Sequence, residues 1–172
     1  MRNPASARPI VLIFMGVSGS GKTTVAQLFA EATGAVFYEG DDFHPPENIA
    51  RLHAGIPLTD ADRKPWLAGL RQIIDQALVK NELSVLTCSA LKAAYREALA
   101  AGDSRVKFVH LAGPPEVIAG RLKNRRDHFM SPALLASQFA ILEPPADALT
   151  FSCLLSPEQI VAQLIQVLAI AG

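Results

Sequence analysis

Eight residues, Gly16 to Thr23, read GVSGSGKT and fit the pattern G-x-x-x-x-G-K-[ST] without a mismatch. The apolar run IVLIFM (Ile10 to Met15) precedes them, and a helix-like run follows. A strand must therefore enter this loop and a helix must leave it. Gly19 and Gly21 let the backbone curl until several N–H groups point inward at phosphate oxygens. The helix N-terminus adds partial positive charge. Gly16, Ser18 and Ser20 complete the nucleotide-binding stretch. Lys22 reaches the β- and γ-phosphates, and the Thr23 hydroxyl is a ligand for Mg²⁺. Thr24 reads as a first-turn residue rather than a second metal ligand. The loop implies ATP or a similar triphosphate.

The rest of the chain repeats strand, loop and helix. Ile10 to Met15 is apolar throughout, as expected for a strand buried on both faces. Val25, Leu28, Phe29 and Ala32 recur with helical spacing, and Gly34 stops that helix. AVFY (Ala35 to Tyr38), LSVLTC (Leu83 to Cys88) and VKFVHL (Val106 to Leu111) read as further strands, and FSCLL (Phe151 to Leu155) as a weaker fifth. Helical spacing returns at Trp66, Leu67, Leu70, Ile73, Ile74 and Leu78. It recurs at Leu91, Tyr95, Ala98 and Leu99, and again from Ile160 to Leu168. Alternation of this kind predicts an α/β fold with a parallel sheet covered on both faces. The 172 residues suit one domain with a real core.

Composition narrows the classes. Half of the chain is apolar and 19% is charged, which argues against a disordered chain. Lysine plus arginine equal aspartate plus glutamate, 16 against 16, so there is no footprint for nucleic acid or an anionic membrane. Cys88 and Cys153 make neither a disulfide framework nor a zinc site, and read as buried thiols in a reducing cytoplasm. Early arginines before an apolar run loosely mimic a secretory signal. Cleavage there would destroy the glycine-rich loop, so that reading is rejected.

Switch GTPases, remodelling ATPases and small kinases all share the phosphate loop. D-x-x-G and N/T-K-x-D are absent, against a GTPase. The third and fourth strands end without a carboxylate, against a remodelling ATPase. The second strand instead runs into Glu39, Asp41 and Asp42 within EGDDFHPPENI, where a small kinase meets its acceptor. Neighbours on an extended chain point opposite ways, so Asp41 and Asp42 would divide the work between metal and acceptor, unless one caps the next helix. His44 is suited either to bind a polyol or to stabilise the loop. Arg51, His53, Arg63 and Lys92 converge on the same strand edge and suggest an anionic acceptor. Asp60 or Asp62 would cap the helix that holds Arg63. Arg121 and Arg125 share a helix face, with Arg126 just beyond, and would clamp the nucleotide.

Several longer motifs carry a resemblance. GVSGSGKT, EGDDFHPPENI, GIPLTDADRKPWL, CSALK..YR, RLKNRRDHFM and LLASQFAILEPP together resemble the gluconokinases, of the shikimate-kinase-like P-loop group, from Val11 to about Pro145. The resemblance implies a three-layer α/β/α P-loop fold with a five-stranded parallel sheet of order 2-3-1-4-5. It also implies an acceptor-binding segment at about 40–66, a mobile lid at about 121–132 and a homodimer. It implies transfer of the ATP γ-phosphoryl group to D-gluconate with Mg²⁺. Lys22 and Thr23 would serve ATP and metal, and Asp41 would be the base or metal-side carboxylate. Asp42, His44, Arg51, Arg63, Lys92 and Gln138 would form the acceptor pocket. Arg121 and Arg125 would serve the lid and nucleotide, with Arg125 catalytic. Lys64 departs from the family, standing where its first tryptophan would be. A kinase for another small hydroxylated acid and a non-catalytic nucleotide-binding module are the competing readings.

Overall fold

The computed structural model describes residues 8–125 and 131–170. Strands β1 (Val11–Met15), β2 (Val36–Glu39), β3 (Ser84–Thr87), β4 (Val106–Ala112) and β5 (Leu149–Ser152) form one sheet of order β2-β3-β1-β4-β5. All its pairings are parallel, and Val11 lies level with Ser84 on one side and Val106 on the other. The fifth strand starts two residues earlier than the apolar run FSCLL suggests.

The uninterrupted apolar run of β1 has a direct cause. Val11, Ile13 and Met15 point to one face, packing with Trp66, Leu70, Ile74 and Leu99. Leu12 and Phe14 point to the other, packing with Val25, Phe29, Ile160 and Leu164. Helices α3 (Asp60–Lys80) and α4 (Ala93–Ala100) cover the first face, and α1 (Lys22–Thr33) and α7 (Pro157–Leu168) the second. Both cysteines are buried free thiols, and burial pushes the Cys88 pKa up to about 12. No helix among the described residues is long and apolar enough to cross a membrane.

The segment after β2 is more ordered than its proline content predicts. Gly40–Phe43 forms a 3₁₀ turn and α2 (Pro46–His53) follows. Helix α3 starts at Asp60, ahead of Pro65, which lies inside it. Its cap is Thr59 rather than Asp60 or Asp62. Thr59 Oγ1 accepts from the Asp62 N–H, and the Asp62 carboxylate accepts from the Thr59 N–H. Beyond β4, α5 (Pro115–Lys123) and α6 (Pro132–Ile141) flank residues 126–130. Arg126 and residues 127–130 of the expected lid lie outside the described residues.

Gly40 is where the acceptor segment touches the sheet. A Cβ there would fall 1.9 Å from the Thr87 carbonyl oxygen. Its N–H donates to Thr87 Oγ1 at 3.0 Å, and its carbonyl accepts from Trp66 Nε1 at 2.8 Å. Gly40→Ala should cost roughly 3 kcal/mol or more, because backbone rather than a flexible side chain blocks the methyl. Gly69→Ala, mid-helix with nothing within 4 Å of the new Cβ, should stabilise by roughly 0.5–1 kcal/mol. Urea denaturation of the two variants checks the opposed signs.

Candidate active site

The carboxyl ends of β1, β2 and β3 deliver the phosphate loop, the Glu39–Phe43 corner and Ser89 to one edge of the sheet. Gly16 leaves β1 at φ 141, with a hypothetical Cβ 2.7 Å from the Leu111 carbonyl, so the loop lies tight against β4. Gly21 caps α1 in a left-handed conformation. Lys22 Nζ donates to the Gly16 and Val17 carbonyls, each at 3.0 Å. Burial lowers its pKa, and the nearby Asp41 carboxylate opposes that shift. Ser20 Oγ is buried without a hydrogen-bond partner among the described residues.

Two cavities flank this loop. One, of about 170 Å³, is lined by Gly19, Ser20, Gly21, Thr24, Arg121 and Arg125, together with Leu155 and Pro157. Arg121 Nη2 donates to the Cys153 carbonyl at 2.5 Å, which ties α5 to the loop after β5. The second, of about 70 Å³, is lined by Ser18, Lys22, Asp41, His44, Arg63, Trp66, Ser89 and Gln138. Gln138 reaches it from α6, and its Oε1 accepts from the Ser18 N–H at 2.7 Å. A larger cavity, about 490 Å³, lies elsewhere, beside Arg96 and Glu143. Arg96 is spent there on the carbonyls of Ala90, Leu91 and Glu143.

Geometry separates the acidic residues that adjacency in sequence leaves tangled. Asp41 lines the second cavity; Asp42 is exposed and lies outside it. The two sit in a 3₁₀ turn, about 120° apart around its axis, not on opposite sides of an extended chain. Neither caps α2, whose N-cap is Pro45. The carboxylate against Thr23 is Glu39 rather than Asp41. Thr23 Oγ1 donates to Glu39 Oε2 at 2.7 Å, and Thr87 Oγ1 donates to the other carboxylate oxygen.

The basic residues also divide. Arg63 lines the cavity, held from behind by the Leu58 carbonyl at 2.6 Å and the Tyr95 hydroxyl at 3.2 Å. Arg51 and Lys92 are not among the lining residues. Arg51 pairs with Asp62 at 3.8 Å, and Lys92 Nζ reaches both Asp60 oxygens at 3.1 and 3.2 Å. Tyr95 also donates to Asp60. That bond, then Lys92, holds the Asp60 carboxyl below its usual range, while Asp60 raises the Lys92 pKa. Lys64 is exposed. Sequence reasoning missed Thr87, Ser89 and Tyr95. The strand-end position of Thr87 and the helical phase of Tyr95 were the available signals.

His44 is the most constrained polar side chain in the cavity. Its side chain is only 6% exposed and stacks on Trp66, with ring centroids 4.1 Å apart and planes 16° apart. Burial, then the Arg63 charge, brings its pKa down to about 4 from 6.5. The unfolded chain therefore takes up a proton between pH 6.5 and about 4 that the folded chain refuses. Stability should fall as pH drops through that window, by on the order of 3 kcal/mol. His110, also depressed by burial, adds to the slope. Denaturation midpoints between pH 7 and 4.5 should fall less steeply for His44→Phe than for the parent chain.

Residues 11–145 match the family model described as an AAA domain. A probable gluconokinase from Rattus norvegicus is 47% identical over 156 residues, covering 80% of this chain and 84% of the rat protein. A gluconokinase from Gluconobacter oxydans is 48% identical over 140 residues, covering 81% and 79%. The crystal structure of a gluconokinase from Sinorhizobium meliloti superposes with a TM-score of 0.84 at 41% identity, covering 94% of this chain and 93% of that one. Similarity at that level, spanning the phosphate loop, the second cavity and α6 alike, means that the chain belongs to the gluconokinase family.

Proposed function

We propose that the chain transfers the γ-phosphoryl group of ATP to the 6-hydroxyl of D-gluconate, giving 6-phosphogluconate and ADP. The observation that carries this reading is the shared wall of the second cavity. Lys22, from the phosphate loop, and Asp41 and Arg63, from the acceptor segment, line one space. A phosphate donor and a hydroxylated anion can meet there. The relatives' names supply the identity of that anion.

In this reading the acceptor oxygen bonds to the γ-phosphorus as the bond to the β-phosphate bridging oxygen breaks. Asp41 takes the hydroxyl proton and passes it to solvent, to which its side chain is open. Arg63 faces the acceptor carboxylate, and His44 and Gln138 bind its hydroxyls. Lys22 leaves the loop carbonyls for the phosphates. Arg121 and Arg125 hold the nucleotide in the first cavity and offset charge during transfer. Thr23 and Glu39 offer hard oxygens 2.7 Å apart beside the helix N-terminus, a donor pair that suits Mg²⁺. Bound there, Mg²⁺ would neutralise phosphate charge. No cluster of three or more metal-ligating side chains occurs among the described residues, and magnesium held largely by phosphates and water needs none. A single domain over residues 1–172, a cytoplasmic setting, a homodimer and the lack of nucleic-acid or membrane partners complete the proposal.

ADP release measured with and without D-gluconate tests it. Gluconate should stimulate release strongly; ATP binding with background release in its presence would leave a nucleotide-binding module, and stimulation by another hydroxylated acid alone would move the substrate. Asp41→Asn should lower turnover by about 10²–10⁴-fold with ATP affinity retained, whereas Asp42→Asn should stay within a few-fold of the parent. Arg63→Ala should raise the KM for gluconate more than that for ATP.

A further inference from the structure

We propose that Asn48 is a positioning residue that fixes the tautomer of His44, so that this ring offers an N–H donor to the acceptor substrate. Asn48 lies on α2 and is 4% exposed. Its Nδ2 donates to the Asp62 main-chain carbonyl at 2.9 Å, in the first turn of α3. Only the nitrogen end of the amide can meet a carbonyl oxygen, so this bond sets which way the amide faces. The same Nδ2 lies 3.3 Å from His44 Nδ1. A group that only donates requires an acceptor, so Nδ1 carries the lone pair. In a neutral imidazole the proton then sits on Nε2.

Nε2 is the atom that faces Asp41, 3.8 Å from its Oδ1, at the wall of the second cavity. That gap is too long for a hydrogen bond. The N–H can therefore meet an oxygen of a hydroxylated acid without first being taken by Asp41. Trp66 stacking fixes the ring plane, and the Trp66 indole is itself anchored on the Gly40 carbonyl. The ring is thus held in plane by Trp66 and in polarity by Asn48. A doubly protonated ring would set N–H against N–H₂ at Asn48 and would pair with Asp41. The amide disfavours that state and leaves the Asp41 carboxylate available.

The inference rests on the acceptor reading of this cavity, yet its first test needs no substrate. In ¹⁵N-histidine-labelled protein at pH 7, the His44 resonances, identified by their loss in His44→Gln, should report a bare Nδ1 and a protonated Nε2. The opposite tautomer, or an imidazolium, overturns the proposal whatever the substrate proves to be. Asn48→Asp replaces the donor by an acceptor and should move the proton to Nδ1, lowering kcat/KM for gluconate at least tenfold with the KM for ATP within twofold. Unchanged gluconate kinetics in a variant with the flipped tautomer would overturn it too. Should Asn48→Asp not fold, His44→Gln, which keeps a side-chain N–H, and His44→Phe, which keeps only the stack, decide the matter. The glutamine variant should retain the lower KM for gluconate, and equal losses in the two would remove the N–H from recognition. The expected tautomer with no gluconate turnover would indict the substrate and not Asn48.

Discussion

The close approach of Gly40 to Thr87 organises both halves of the site. Thr87 Oγ1 accepts from the Gly40 N–H and donates to Glu39, and Glu39 in turn receives the Thr23 hydroxyl. One strand-end threonine on β3 therefore links the acceptor segment to the first residues of α1. On the other side of the same glycine, its carbonyl holds the Trp66 indole, and Trp66 holds the His44 ring. A side chain at position 40 would push β2 away from β3, since its Cβ would overlap the Thr87 carbonyl. Donor and acceptor geometry would then shift together. Coupling of this kind matters for phosphoryl transfer, where positioning supplies most of the rate.

How far the sequence was legible depends on whether partners are near in the chain. The phosphate loop was legible because its strand, turn and helix are contiguous, and each needs a distinctive residue type. The buried strands were legible because β1 is covered on both faces and its apolar run is unbroken. Arg51 and Lys92 could not be told apart from Arg63 in the sequence, because the carboxylates they pair with, Asp62 and Asp60, lie 11 and 32 residues away. Nothing in a basic residue's neighbours announces a carboxylate that distant. Asp41 and Asp42 could not be separated for a local reason. A GDD segment reads equally well as extended chain or as a 3₁₀ turn, and the turn brings one carboxylate to the cavity wall and leaves the other outside it.

Some of the most distinctive motifs serve the scaffold and not the substrate. Arg96 is buried and satisfied by three carbonyls, two before α4 and one at Glu143. Glu143 replies with its carboxylate on the Ala93 N–H at the start of α4, and its own N–H donates to the Leu91 carbonyl. The segments CSALK..YR and LEPP are thereby locked together. Gln138, one turn before the end of α6, is delivered to the Ser18 N–H by that lock. A buried guanidinium is costly unless its donors are met, so removal of any one carbonyl partner would be felt at the phosphate loop.

The charge pattern of the second cavity follows from the same economy. Among the described residues Lys22 and Arg63 are the cations that line it and Asp41 is the carboxylate, while burial, then Arg63, lowers the pKa of His44. A histidine that charged easily would pair with Asp41 and cancel the carboxylate that the proposed reaction uses as proton acceptor. In the proposed reaction a further lysine there would hold a product that carries more negative charge than the acceptor did. Lys92 is kept from that role by Asp60, whose position is set in turn by Tyr95. Among the described residues the lining thus carries one more positive than negative charge, which suits the monoanionic acceptor of the proposed reaction. That balance depends on Asp60 and Tyr95, two residues that do not line the cavity.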